Sequence, residues 1–407
     1  MMTIRTFNAL RPEPSHAQAV AALPYDVMNT EEARVEAAGN PYSFLHVDKA
    51  QIDLPVGTDQ YSPAVYAKAA ENLKSLTDKG ILIQDAAPQL YIYQLKAYGR
   101  TQTGLAACVS VDEYEKDIIK RHEFTRPDKE KDRIDHIIAC SAHTGPIFMA
   151  YRDPNSNTAP KALMADWMQA HTPTYNFTAE DGVQHILWVI DDILTQDRLV
   201  QAFAQISYIY IADGHHRNEA ARKASKVVSA EESKFYLAVI FPHDELAIMD
   251  YNRVVVDLNG LDSASFISAI KGVCTLEEST APVKPSRKNE VGMYMAGKWY
   301  RLTFENSAGK ENIIDQLDVS VLQNNILAPV LGITDPKTDK RIDFVGGIRG
   351  MAELERRVDS GEMAVAFSMY PTSMDELMAV ADANQIMPPK STWFEPKLRS
   401  GLLVHVF

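Results

Sequence analysis

"YIYIADGHHRNEAARKA", residues 208–224, passes from an apolar, aromatic run into an Ala-rich run with helical spacing. The first half has the β-branched and aromatic content of a strand, and the second has the period of a helix. Asp213, Gly214, His215, His216 and Arg217 stand at the junction. A strand feeding directly into a helix is the elementary step of an α/β chain. Three readings of the junction compete: a phosphate cradle, a metal site and a capping turn.

A helix start leaves its first N–H groups without intrahelical partners and carries the positive end of the helix dipole. In the first reading the amides of Gly214, His215 and His216 hold a phosphate, and Arg217 adds a fork of donors. In the plainest reading Asp213 is the N-cap, and the histidines and Arg217 satisfy local carboxylates. The metal reading is the weakest, because adjacent residues at a helix start point in different directions and a catalytic zinc needs three protein ligands.

Outward from this junction, strand-like runs recur at 89–97, 103–111, 185–192, 207–213, 235–242 and 362–371. Helical periods lie between them at 62–80, 217–229 and 351–361. Ser62 and Pro63 mark a helix start and Gly80 a stop. The mixture predicts α/β (mixed α+β) architecture: mixed sheets with flanking helices in two or three packed lobes. The whole chain reads as one unit with lobes expected at 1–150, 151–260 and 261–407, and with polar, Pro-containing loops at 151–161 and 282–290.

With 407 residues and 46% hydrophobic content the chain can bury a large core. No apolar run reaches the roughly 18 residues of a membrane span, and "MMTIRTFNALRPEPS" lacks a signal-peptide layout, so a soluble, cytoplasmic protein is expected. Cys108, Cys140 and Cys274 are widely spaced and suggest neither a disulfide framework nor a thiolate zinc site. A net charge of −13 disfavours nucleic-acid binding, which needs Lys and Arg along a phosphate backbone. A small anionic ligand is compatible if positive groups gather locally. An oligomeric state is not set by the sequence.

They gather in "KRHEFTRPDKEKDRIDH", residues 120–136. Thr125 can cap, Pro127 fits a first helical turn, and Asp128 takes the capping-box position. The helix aligns Asp128, Asp132 and His136 at i, i+4 and i+8, with Ile134, Ile137 and Ile138 on the apolar side. That polar face can hold Mg²⁺ on Asp128 and Asp132, supply a general base from His122, Glu123, Asp132 or His136, or bring Arg126, Lys129 and Arg133 to phosphate oxygens. Its plainer reading is a solvated, ion-paired helix. A third candidate is "MPPKSTWFEPKLRSG", residues 387–401, where Lys390, Ser391 and Thr392 form an anion clamp or a packing loop. "FVGGIRG" (344–350) lacks both the GxGxxG and the P-loop pattern, and no flavin, NAD or haem signature is present.

Together "LPYDVM" (23–28), "HEFTRPDKEKDRIDH", "ADGHHR", "LDVSVLQNNILAPVLGI" (317–333) and "MPPKSTWFEPKLRSGL" resemble the signature blocks of the bacterial and archaeal family catalogued as domain of unknown function 1015. More distantly, "ADGHHR" resembles the phosphate-binding turn of the ParB/sulfiredoxin superfamily, which includes free-serine kinases. That likeness implies a ParB/sulfiredoxin-like element around 205–230, phosphate contacts at Gly214 to Arg217, and ATP or ADP with Mg²⁺ as cofactor.

The leading expectation is an enzyme that binds a nucleotide or other phosphorylated small molecule and transfers or hydrolyses a phosphoryl group. In it the 213–217 turn holds phosphate, Arg126, Arg133 and Lys390 neutralise charge, and His122, His136 or Asp26 accepts a proton. The alternatives are a metal-dependent hydrolase using His122, His136, His143 and a carboxylate, and a non-catalytic small-anion sensor. The leading reading requires residues 122–136, 213–217 and 390–392 to share one cleft.

Overall fold

The computed structural model describes residues 2–153, 158–305 and 312–407; positions 154–157 of the loop expected at 151–161 lie outside them. The chain forms two compact units, Met1–Leu246 with Pro396–Phe407, and Ala247–Glu395. The expected lobe edge at 150/151 falls inside a strand, Ile147–Tyr151, of the first unit's main sheet. No helix among the described residues is long and apolar enough to cross a membrane.

The first unit is built on a nine-stranded mixed sheet. Its main path runs 119–120, 209–213, 147–151, 235–242, 100–110, 90–97, 184–190 and 175–178, with 4–5 added beside 100–110. Strands 209–213 and 119–120 pair in parallel, as do 235–242 and 147–151, and the rest are antiparallel. Central strands covered on both faces read as continuous apolar runs, and Phe235–Pro242 occupies the expected positions. Ile92, Leu105, Val109, Met149, Ile186, Ile209 and Ile211 form the core of one buried cluster. A separate four-stranded sheet orders 82–84, 9–12, 404–406 and 142–143.

Against this frame pack the helices that carry the motifs. Pro63–Asp78 starts with Pro63 in its first turn, and Gly80 follows its end with φ +71°. Pro127–Cys140 and His215–Ala224 pack together through Ile137, Ala220 and Ala224. The small alanines allow that close approach. The apolar side differs from expectation at Ile138, which is 43% exposed.

The second unit holds a six-stranded sheet ordered 275–279, 298–303, 290–295, 365–368, 251–255 and 342–346, all antiparallel. Its expected strand at 362–371 narrows to Val365–Ser368, and its expected helix at 351–361 is Gly350–Asp359.

Candidate functional site

The strand Ile209–Asp213 shifts register against Ile147–Tyr151 between Ile211 and Asp213, one residue before the turn. Such an irregularity re-aims the side chains that follow it. Gly214, at φ +97°, is the residue that caps the helix, a left-handed conformation that glycine adopts without steric cost. Asp213 is therefore not the N-cap. Its Oδ1 accepts the Gly214 N–H at 2.8 Å, and its Oδ2 pairs with Lys397 at 2.8 Å. Burial pushes the Asp213 carboxyl up, but the charges of Lys397 and Arg217 outweigh it and hold the group well below the usual carboxylate range.

The turn and the start of the Pro127–Cys140 helix meet as expected. The Arg126 N–H donates to His216 Nε2 at 3.1 Å, so neutral His216 carries its proton on Nδ1. The His122 and His215 rings meet edge to face with centroids 4.5 Å apart. Burial pulls His122 down to about 4 and His215 and His216 below the ordinary histidine value, so all three are neutral at pH 7. Lys223 and the Thr125 hydroxyl both bond Glu130, which ties the two helices together. Thr125 thus serves Glu130, and Arg126 is the N-cap residue of that helix, with no side-chain cap bond.

Two adjoining cavities lie beside these helices. The larger, about 290 Å³, is lined by residues that include Tyr25, Asp26, Asp48, Lys49, Tyr66, Lys129, Asp132, Arg133 and His136. The smaller, about 30 Å³, shares Tyr25, Asp48, Arg133 and His136 and adds His143, Thr144, Arg217 and Ser400. Of the five turn residues, Arg217 alone lines either one. In the first turn the Gly214 amide is taken by Asp213, and the imidazoles of His216 and His215 meet Arg126 and His122 of the 121–126 segment. The Arg217 guanidinium folds back over Gly214 and donates to the Pro146 carbonyl. Its Nε is buried without a hydrogen-bond partner.

Asp128 and Asp132 sit in different surroundings. Asp128, in the first turn, reaches into solvent and pairs with Arg126 at 2.7 Å. One turn later the neighbouring helix covers Asp132, whose Oδ1 accepts from Tyr66 Oη at 3.1 Å and whose Oδ2 meets Arg133 Nη2 at 2.9 Å. Arg126 and Asp128 therefore line neither cavity. The Arg133 guanidinium stacks 3.9 Å above the Tyr25 ring, a cation–π contact that fixes its plane. Its Nη1 has no hydrogen-bond partner among the described residues.

His136 Nε2 lies 3.1 Å from the Val47 carbonyl. A carbonyl only accepts, so the proton sits on Nε2 and Nδ1 keeps its lone pair. Burial and the charge of Arg133 hold the ring below the ordinary histidine value. His136 therefore has the form of a general base at pH 7. His143, which shares the smaller cavity with it, lies against His405 with Nδ1 atoms 3.3 Å apart. Among the described residues, the His122, His136 and His143 set expected for a hydrolase does not assemble; His122 instead groups with Glu123 and His215.

Lys49 and Asp48 were absent from the sequence reading. Lys49 is 8% exposed and has no carboxylate partner among the described residues. Burial, then the charges of Arg133 and Lys129, pull its ammonium below the ordinary lysine value. Asp48 accepts from the Thr144 hydroxyl at 2.8 Å. Two adjacent charges inside the apolar run 44–50 were the available signal.

Lys390, Ser391 and Thr392 belong to the second unit. There the Lys390 carbonyl accepts from Arg253, its Nζ lies 5.5 Å from the Tyr251 ring, and the Ser391 hydroxyl is spent on the Pro388 carbonyl. That is the packing-loop alternative for Ser391. From the same C-terminal stretch, Lys397 is the residue that meets the turn.

No curated protein matches the chain. Similar solved structures include a free serine kinase in complex with AMP, at 13% identity and TM-score 0.36, covering 73% of this chain and 92% of that one. SbnI with a C-terminal truncation, from Staphylococcus aureus, matches at 11% identity and TM-score 0.37, covering 72% and 85%. A conserved hypothetical protein from Pyrococcus furiosus matches at 14% identity and TM-score 0.36, covering 73% and 94%. The family profile described as "Protein of unknown function (DUF1015)" spans residues 4–320, and the chain belongs to that family.

Proposed function

We propose that the chain is an enzyme that binds a nucleotide or other phosphorylated small molecule in the 290 Å³ cleft and transfers or hydrolyses its phosphoryl group. The observation that carries this reading is Lys49, a largely buried lysine with no ion-pair partner among the described residues, in a wall shared with Arg133 and Lys129, whose charges act on it more strongly than those of Asp132 and Asp26. Burying a cation unpaired is costly, and like charges beside it add to the cost. A bound anion removes both penalties at once.

Arg133, through Nη1, Lys49 and Lys129 would hold phosphate oxygens, with Arg217 at the inner end of the site. Asp26 lines the cleft and would meet the Mg²⁺ that accompanies a nucleotide. His136 Nδ1 would take the proton of the attacking hydroxyl or water. Phosphoryl transfer rests on positioning and on stabilising spread charge, which is what this inventory supplies. The test is a thermal-shift panel with ADP, ATP, inorganic phosphate and pyrophosphate, each with and without Mg²⁺. A true ligand at 100 times its Kd adds about 2.7 kcal/mol of stability. If none of the four moves the melting temperature, the reading is wrong.

A further inference from the structure

His122, Glu123 and His215 bring one ligand atom each within 4.8 Å of the others, and none of the three lines either cavity. They come from two segments that the chain brings together, the 121–126 run and the first residue of the His215–Ala224 helix. We infer that this cluster is a binding site for a divalent transition-metal ion, of which Zn²⁺ is the type.

His122 supplies the independent observation. It is 2% exposed, yet neither ring nitrogen makes a well-formed hydrogen bond among the described residues, and its one polar contact, with the Ile211 backbone, is weak. A buried polar group left that way is destabilising, and a metal ion is a partner that would remove the cost. Glu123 Oε2 lies 3.9 Å from His215 Nδ1, and its side chain is 47% exposed, which gives an ion a way in from solvent.

The donor set selects the class of ion. Two imidazoles and one carboxylate suit zinc and its first-row neighbours, whereas Mg²⁺ requires oxygen ligands and keeps its waters. Three protein ligands leave a position for water or a ligand oxygen, the layout of a catalytic site and not of a closed structural one. Bonds of about 2.0–2.1 Å place tetrahedral donors about 3.4 Å apart, so the cluster must contract by about 1.5 Å at most. Glu123, on an exposed stretch, provides that movement. The His122 N–H meets His215 Nε2 at 3.5 Å, and ligation through His215 Nδ1 requires this long contact to be released.

The full-length chain, stripped with EDTA, is titrated calorimetrically with Zn²⁺ alone and with Mg²⁺ alone. The site predicts one Zn²⁺ per chain, and His122→Gln and Glu123→Gln weaken it by at least about 100-fold, beyond the loss of an outer-shell partner. His136→Gln leaves it unchanged, which separates this cluster from the hydrolase set of His122, His136 and His143. Circular dichroism checks each variant's fold, and Glu123→Gln decides if His122→Gln does not fold. Absence of Zn²⁺ binding by the wild type, or affinities within about tenfold of it in a folded Glu123→Gln, overturns the inference.

Discussion

Lys49 and Arg133 line the same cleft, and the guanidinium's charge, together with burial, pulls the Lys49 ammonium below its ordinary range. Two cations gathered in one largely buried wall work against the stability of the ligand-free chain.

Lys49→Met should therefore leave the ligand-free chain at least as stable as the wild type, by about 0–2 kcal/mol, because an unpaired buried charge is replaced by an apolar chain of similar length. The same substitution should weaken nucleotide or pyrophosphate binding at least tenfold, about 1.4 kcal/mol. Denaturant melts with and without ligand separate the two effects. A variant that is both less stable and equally good at binding would assign Lys49 a structural role only.

Gly214 predicts a coupled loss. A Cβ at this position would sit 3.1 Å from Arg217 Nη2 and 3.2 Å from its Cζ and Nε, on a backbone with φ +97°. Gly214→Ala should cost about 1–2 kcal/mol for the left-handed conformation alone and should also displace the guanidinium from the cavity wall. Chemical melts and a ligand titration on the same variant check both halves.

The turn also shows where sequence and structure part. Strand and helix on either side of 213–217 follow from alternating and helical periods, because both signals are local. The cap does not: Gly214 takes it, and Asp213 is claimed by Lys397, 184 positions away. The different surroundings of Asp128 and Asp132 were hidden for a similar reason, since helical spacing ignores which turn a neighbouring helix covers. Lys49 and Asp48 lay hidden in a run that reads as core, and only tertiary packing shows that the core there opens into a cleft. The second unit was equally hidden, because the chain leaves the first at Leu246 and re-enters it at Pro396. No local composition change marks such a return.

His136 sets the expected pH profile of turnover. Its folded-state value lies below the ordinary 6.5, so the neutral, basic form persists as pH falls through 6.5, and the acid limb of kcat should lie below that point. His136→Gln should lower kcat by about 10²–10⁴-fold and remove the limb while nucleotide affinity stays within about threefold. A pH–rate series on both proteins checks this. Loss of affinity with kcat unchanged would move His136 from base to binding group.

Acid stability follows from two other histidines. Burial pulls His405 down to about 4 and His185 to about 3, and the nearby charges of Arg5 and Arg399 respectively act in the same direction. Both are neutral when folded and bind protons more readily when unfolded. Their contribution is therefore fully present above pH 6.5 and falls as pH drops below it, by about 1.4 kcal/mol per unit for each until the folded value is reached. Melting temperatures between pH 7 and 4 should decline accordingly. His405→Asn, if folded, should flatten the slope.

Titration calorimetry of ADP with Mg²⁺ into the wild-type chain and into Arg217→Ala tests the phosphate-binding reading most directly. Saturable binding is expected in the wild type and a loss of about 1.5–3 kcal/mol in the variant, the worth of hydrogen bonds to a charged group. Equal affinities in the two proteins, or no heat from ADP, ATP or pyrophosphate with the wild type, would contradict it.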